Sequence, residues 1–147
     1  MKTYLVTGAA GFIGSNFVKY LLKKYGEDIQ IIIVDALTYA GNLASIKDEI
    51  ELDNVSFVKS DIADYETIKS VFTNNDIDYV VNFAAESHVD RSITNPKLFL
   101  ETNIIGTQNM LQCAREAWYV GKDEMGSPIY KDGVKYLQIS TDEVYGS

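Results

Sequence analysis

Cysteine and histidine each occur once in this 147-residue chain, as Cys113 and His88. A lone cysteine excludes an intrachain disulfide and leaves no cysteine cluster for zinc or iron–sulfur ligation. Cys113 falls within an expected helix, where it reads as a small core residue. Also missing is any apolar run of the roughly 18 residues that a membrane-spanning helix takes. The N-terminus enters an apolar, β-prone run at once, without the charged, apolar and small-residue pattern of a secretory leader, so the expected location is cytoplasmic. Basic residues are outnumbered, 13 Lys and Arg against 21 Asp and Glu, for a formal charge of −8. A general nucleic-acid binder needs a basic surface to displace phosphate counterions, and this chain lacks that balance. A small anionic ligand held by backbone amides is still compatible with it. There is no low-complexity segment and no internal repeat.

What is present is a folded composition, 46% hydrophobic and 23% charged. The length allows one core and is too short for two ordinary domains, so residues 1–147 are expected to form one domain. The stretch from Thr3 to Gly14 organises the rest. Tyr4, Leu5 and Val6 form a short β-prone run that meets Gly8, Gly11 and Gly14, after which Ile13, Phe17, Leu21 and Tyr25 recur at helical spacing. Strand, glycine turn and helix bring a bare helix N-terminus, with its unpaired N–H groups and positive dipole end, close to a diphosphate. In such a turn Gly8 permits the tight bend, Gly11 lets the backbone approach a ligand, and Gly14 lets the helix pack on the strand. Three glycines can also be purely structural. The next apolar run, Ile29 to Val34, ends in Asp35, 21 residues after Gly14. A carboxylate there can accept hydrogen bonds from a ribose diol, or simply form a turn.

The remainder alternates in type. A loop leads from Ala36 to Asn42, a short helical stretch covers Leu43 to Ile50, and Val55 to Val58 is a third strand ending at Ser60-Asp61-Ile62. Tyr65 to Phe72 reads as a helix with Ile68, Val71 and Phe72 on one side. Tyr79 to Phe83 is a fourth strand, apolar on both faces apart from Asn82, as a buried parallel strand should be. Pro96 opens a long helix over Lys97 to Tyr119, with Ile104, Leu111, Ala114 and Trp118 near one face. Gly106 inside it points to close packing or a bend. Val120 to Gly133 is a polar excursion, read as a small hairpin. Lys135 to Ile139 is the fifth strand, ending at Ser140-Thr-Asp-Glu143. The alternation predicts an α/β fold of Rossmann type, a parallel sheet with helices on both faces and strand order 3-2-1-4-5.

Four segments carry a more specific likeness: Thr7-Gly-Ala-Ala-Gly-Phe-Ile-Gly14, Asp35-Ala-Leu-Thr-Tyr-Ala-Gly-Asn42, Ala84-Ala-Glu-Ser-His-Val-Asp-Arg-Ser92 and Ser140-Thr-Asp-Glu-Val-Tyr-Gly146. Together they resemble the dTDP-glucose 4,6-dehydratases, lyases of the extended short-chain dehydrogenase/reductase family. Members of that family are more than twice this long and carry a Tyr-x-x-x-Lys motif beyond the matching region. Tyr20 with Lys24 and Tyr65 with Lys69 have that spacing here, but both fall in helices that precede the site and are read as coincidences. The resemblance thus implies an N-terminal part without the catalytic tyrosine, and little or no turnover by this chain alone.

For the cofactor NAD, the resemblance implies Phe12 and Ile13 along the pyrophosphate turn. Asp35, Ala36, Leu37 and Thr38 would hold the adenosine ribose, and Asp61 and Ile62 would flank the adenine. Asp61 can equally be an ordinary strand-end turn. Asp35, with no Arg following it, favours NAD over NADP, because a carboxylate repels the 2′-phosphate. Phe83, Ala84, Ala85, Glu86 and Ser87 would run beside the nicotinamide-side ribose with Thr102, and Ser87 would also meet the sugar. His88 is an unsupported candidate acid or base, and Asp90 with Arg91 reads as a solvated loop pair.

The resemblance also assigns the dehydration. The sugar is oxidised at C4, Glu143 takes the C5 proton, Asp142 protonates the departing C6 hydroxyl, and the hydride returns to C6, while the Thr141 hydroxyl bonds the C4 oxygen. Asp142 and Glu143 could instead be a solvated acidic pair. The implied substrate is dTDP-glucose and the implied assembly a homodimer through the Pro96 to Tyr119 helix. Alternatives are a UDP-glucose 4,6-dehydratase, a 4-epimerase, which does not need the acidic pair, and a non-catalytic NAD-sensing module. No metal and no nucleic-acid or membrane partner is expected.

Overall fold

A computed structural model describes residues 1–38, 42–86, 89–141 and 144. Strand β1 (Lys2–Thr7) leads through the glycine turn into helix α1 (Phe12–Tyr25), which returns the chain to β2 (Ile29–Asp35). Two single 3₁₀ turns, Leu43–Ile46 and Glu49–Glu51, replace the expected short helical stretch before β3 (Val55–Lys59). Then come α2 (Tyr65–Asn74), β4 (Tyr79–Asn82), α3 (Val89–Thr94), α4 (Pro96–Phe99), a π-helical segment (Leu100–Gly106) and α5 (Thr107–Trp118). The chain continues through a hairpin of β5 (Tyr119–Lys122) and β6 (Pro128–Tyr130) to β7 (Lys135–Gln138). The main sheet is parallel with order β3-β2-β1-β4-β7, and the hairpin forms a separate two-stranded sheet. This is the expected order, with β7 as the fifth strand because the hairpin intervenes.

Period-two alternation in β1 and β2 divides the core between the two faces of the sheet. Leu5, Ile32 and Val34 pack with Val80 against Ile68, Val71 and Phe72 of α2 and Met110, Cys113 and Ala114 of α5. Val6, Ile31 and Ile33 pack on the other side against Val18 and Leu21 of α1 and Ile46. Both faces are thus covered, which leaves the strand ends as the exposed edges where a ligand can enter.

Three helical expectations need correction. In α1 the buried stripe is Gly14, Ser15, Val18 and Leu21, while Ile13 and Tyr25 are exposed. A four-residue step advances about 400° around a helix, so the series Ile13-Phe17-Leu21-Tyr25 drifts off the sheet-facing side. In the long helix, Ala114 and Trp118 are buried as expected, but Ile104 and Leu111 are exposed. Within α5 the inner side is Asn109, Met110 and Cys113 with Ala114 and Trp118, and the π turn before it offsets Ile104 from their phase. Asp90 and Arg91 lie in α3 rather than in a loop.

At the strand starts the hairpin is fastened to the sheet. Trp118 Nε1 donates to the Ile77 carbonyl at 2.7 Å, and Lys131 Nζ lies 2.7 Å from Asp76 Oδ1 and 3.5 Å from Asp78 Oδ1. Asp78 Oδ2 accepts the Thr3 N–H at 2.9 Å. The polar excursion is therefore docked on the domain.

Candidate functional site

The glycine turn is shaped by contacts from distant strands. Gly8 donates its N–H to the Val34 carbonyl at 2.9 Å and has φ +67°, a conformation that side-chain-bearing residues rarely adopt. A Cβ on Gly8 would lie 2.7 Å from the Ala84 nitrogen, so the turn passes directly over the end of β4. On Gly14, a Cβ would lie 2.4 Å from the Gly8 carbonyl oxygen, which fixes how closely α1 approaches the turn. At Gly11 it would meet only that same oxygen, at 3.3 Å. Gly11 instead opens onto a cleft and, at the N-cap of α1, makes no side-chain cap to the helix that begins beside it. Gly8 and Gly14 therefore have the structural tasks expected of them, and the helix terminus keeps amides available for an anion.

Asp35 closes the turn from the next strand. It is 8% exposed, with Oδ2 accepting the Ala10 N–H at 2.9 Å and Oδ1 accepting the Leu37 N–H at 2.7 Å. Each oxygen retains a further lone pair, so the carboxylate can still accept from hydroxyl groups while its orientation is fixed. The Asn42 N–H donates to the Ala10 carbonyl at 3.1 Å, tying the following loop to the same turn. Leu37 itself packs into the core beneath and does not line the cleft.

The far wall comes from the ends of β3 and β4. Asp61 Oδ1 accepts the Ala63 N–H at 2.9 Å, so the turn reading of Asp61 holds, and its side chain also lines the cleft. Gly8, Gly11, Asp35, Ala36 and Thr38 share that cleft with Asp61 and Ile62, and Phe83, Ala84, Ala85, Glu86 and Thr102 complete it. Phe12, Ile13 and Gly14 lie at the helix start outside it, with Phe12 and Ile13 exposed. Ser87, His88, Asp142 and Glu143 lie outside the described residues. Thr141 is half-buried just after β7.

Val34, Ser60 and Leu98 also line the cleft and were not anticipated. Ser60 had a signal, its place beside Asp61 at a strand end; Leu98 on a short helix had none. Asn82, the polar exception in β4, is buried and accepts from Thr7 Oγ1 through Oδ1. Its amide donates to Gln138 Oε1 at 2.9 Å, so a polar chain crosses β1, β4 and β7 beneath the cleft. Tyr136 joins this chain through its contact with Gln138 at 3.0 Å, and burial pushes its hydroxyl up to about 12.

The electrostatics are acidic. Asp35, Asp61 and Glu86 line the cleft, and none of its lining residues among those described is Lys or Arg. Glu86 is 5% exposed and, among the described residues, its Oε2 has no hydrogen-bond partner. Burial raises its pKa, with Asp61 adding to that rise and Arg91 opposing it. Backbone amides are thus the groups left to meet a diphosphate, while the carboxylates suit hydroxyl or amine donors. The two Tyr/Lys pairs lie elsewhere. Lys24 sits over the Tyr20 ring on α1 and Lys69 over the Tyr65 ring on α2, each 5.8 Å from the centroid, and neither pair lines the cleft. No helix among the described residues is long and apolar enough to cross a membrane.

The chain is 45% identical over 148 residues to a dTDP-glucose 4,6-dehydratase of Xanthomonas campestris pv. campestris (strain B100), covering 100% of this chain and 40% of that protein. The crystal structure of a dTDP-glucose 4,6-dehydratase from Bacillus anthracis str. Ames in complex with NAD matches with a TM-score of 0.78 at 40% identity, over 100% of this chain and 40% of that one. DesIV of Streptomyces venezuelae, a dTDP-glucose 4,6-dehydratase with NAD and TYD bound, matches with a TM-score of 0.71 at 46% identity, over 78% of this chain and 36% of that one. The chain therefore spans about 40% of the length of the first of these relatives. A family model described as GDP-mannose 4,6 dehydratase matches residues 5–147, and the chain belongs to that family.

Proposed function

We propose that this chain is the NAD-binding part of a dTDP-glucose 4,6-dehydratase, a lyase that converts dTDP-glucose to dTDP-4-keto-6-deoxyglucose and water in deoxysugar synthesis. The observation that carries the cofactor assignment is the Asp35 carboxylate, held by the Ala10 and Leu37 amides beside an uncapped helix N-terminus. In this reading the diphosphate lies at Gly11, Phe12 and Ile13, and the adenosine ribose at Asp35 to Thr38. Asp61 and Ile62 flank the adenine, and Phe83 to Ser87 with Thr102 follow the nicotinamide-side ribose. An acidic cleft with no lining Lys or Arg among the described residues also suits NAD better than NADP, whose extra phosphate needs a cation.

When bound, NAD would supply hydride-transfer chemistry to C4 and C6 of the sugar. The chain's own residues do the proton work of the elimination, not of the C4 oxidation. Glu143 removes the C5 proton, Asp142 protonates the C6 hydroxyl as it leaves, and Thr141 hydrogen-bonds the C4 oxygen, with Ser87 touching both cofactor and sugar. One base and one acid are what β-elimination of water requires. A 4-epimerase needs no such pair, which favours the dehydratase. The described Tyr/Lys pairs lie on α1 and α2, so this chain alone is expected to turn over little or no dTDP-glucose. The exposed Leu100, Ile104 and Leu111 give the long helix an apolar outer side, which supports a homodimer through that helix; the proposed location is the cytoplasm.

Calorimetric titration of the chain with NAD, and in parallel with NADP, tests the assignment. Saturable NAD binding with NADP weaker by at least about tenfold is expected. A folded sample that binds neither, or prefers NADP, overturns it.

A further inference from the structure

The helix that follows α4 is fastened to both walls of the cleft by side chains, at two different places. On the β4 side, Asn103 in the π-helical segment bonds both backbone groups of Glu86. Its Oδ1 accepts the Glu86 N–H at 2.8 Å, and its Nδ2 donates to the Glu86 carbonyl at 2.8 Å. On the β3 side, Asn109 Nδ2 donates to the Ile62 carbonyl at 3.0 Å. Between them Gly106 seats the Ile62 side chain, since a Cβ there would lie 2.4 Å from Ile62 Cγ1.

A two-point amide clamp on one residue is the pairing that a neighbouring strand would supply, yet Glu86 lies beyond the end of β4 and has no strand partner. Without Asn103 its N–H and C=O would have no partner among the described residues, in a residue that is 5% exposed. The π turn is what makes the clamp possible. One extra residue in the helical turn brings Asn103 round to Glu86 while Thr102, its neighbour, lines the cleft. The buried Glu86 carboxyl, whose Oε2 has no partner among the described residues, is carried on the clamped backbone.

We infer that Asn103 is a positioning residue that sets the Phe83 to Glu86 wall against the nicotinamide half of the cofactor, and that Asn109 does the same for the Ile62 wall against the adenine half. This rests on the cofactor reading above, and it adds a division of labour along one helix. Neither asparagine touches the ligand; each acts through the backbone it holds. Loss of general stability would weaken all ligands alike, whereas a positioning role predicts selective losses.

The test is calorimetry on the chain and its Asn103→Ala and Asn109→Ala variants, with NAD and with ADP, which lacks the nicotinamide half. Asn103→Ala is expected to weaken NAD by about tenfold or more and ADP by less than about twofold, whereas Asn109→Ala weakens both by the same factor. Equal effects on both ligands at Asn103, or none on NAD, overturn the inference. A wild-type chain that binds neither ligand overturns the cofactor reading instead. Hydrogen exchange on the wild-type chain gives a readout that does not depend on a folded variant. The Glu86 amide should be protected, and more so with NAD than with ADP; an amide exchanging at an open-chain rate overturns the inference.

Discussion

Asp35 accepts the backbone N–H of Ala10 at 2.9 Å across the top of the sheet, so the carboxylate that closes the second strand also holds the glycine turn in place. Removing it should damage both stability and binding. Asp35→Ala leaves the buried Ala10 amide unpaired, at a cost of about 1–3 kcal/mol in denaturant unfolding. Asp35→Asn keeps one carbonyl acceptor and should cost less, while lowering the preference for NAD over NADP in paired titrations.

The glycines of the turn should separate stability from binding. Gly8→Ala forces a side chain into φ +67° and against the Ala84 nitrogen, so a loss of about 2–4 kcal/mol in unfolding is expected. Gly11→Ala has no positive φ and only a 3.3 Å contact to absorb. It should change stability by less than about 1 kcal/mol yet abolish NAD binding, because its methyl group stands where the backbone faces the ligand.

Glu86 should make the fold more stable in mild acid than above it. Burial raises its folded-state pKa above the ordinary carboxylate value of 4.5. Its contribution to stability is therefore fully present below that unfolded value and is lost as pH rises through the folded one. Glu86→Gln, which carries no charge at any pH, should melt higher than the parent near pH 8. Melting curves across the pH range should show the gap narrowing as pH falls toward about 4.5.

Cys113 should be inert while the protein is folded. It is 2% exposed, and burial pushes its thiol up to about 11. Almost no thiolate is present at pH 8, so a chromogenic disulfide reagent should label it only as fast as the protein opens. Addition of denaturant should give one thiol per chain at once. Rapid labelling of the native protein would show that α5 does not pack as described.

How much of this was legible beforehand depended on the range of the interaction. The glycine spacing, the β-branched run ending at Asp35 and the strand–helix alternation are local patterns, and the sheet order follows from them through right-handed crossovers. The buried side of α2 was also readable, because Ile68, Val71 and Phe72 are the only apolar stripe it has. In α1, apolar residues occur on more than one side, and Ile13 and Tyr25 suggested a stripe that the packing does not use.

The amino-acid sequence by itself determined that a glycine turn and a strand-end carboxylate occur in an α/β alternation, since each needs only neighbouring residues and their period. Only the tertiary structure decided what stands opposite them. Gly8 must be bare because Ala84 passes beside it, Asn82 is buried because Thr7 and Gln138 satisfy it, and Glu86 is held because the π turn delivers Asn103. These partners are far apart along the chain, and no local period encodes a contact that exists only once the layers have packed.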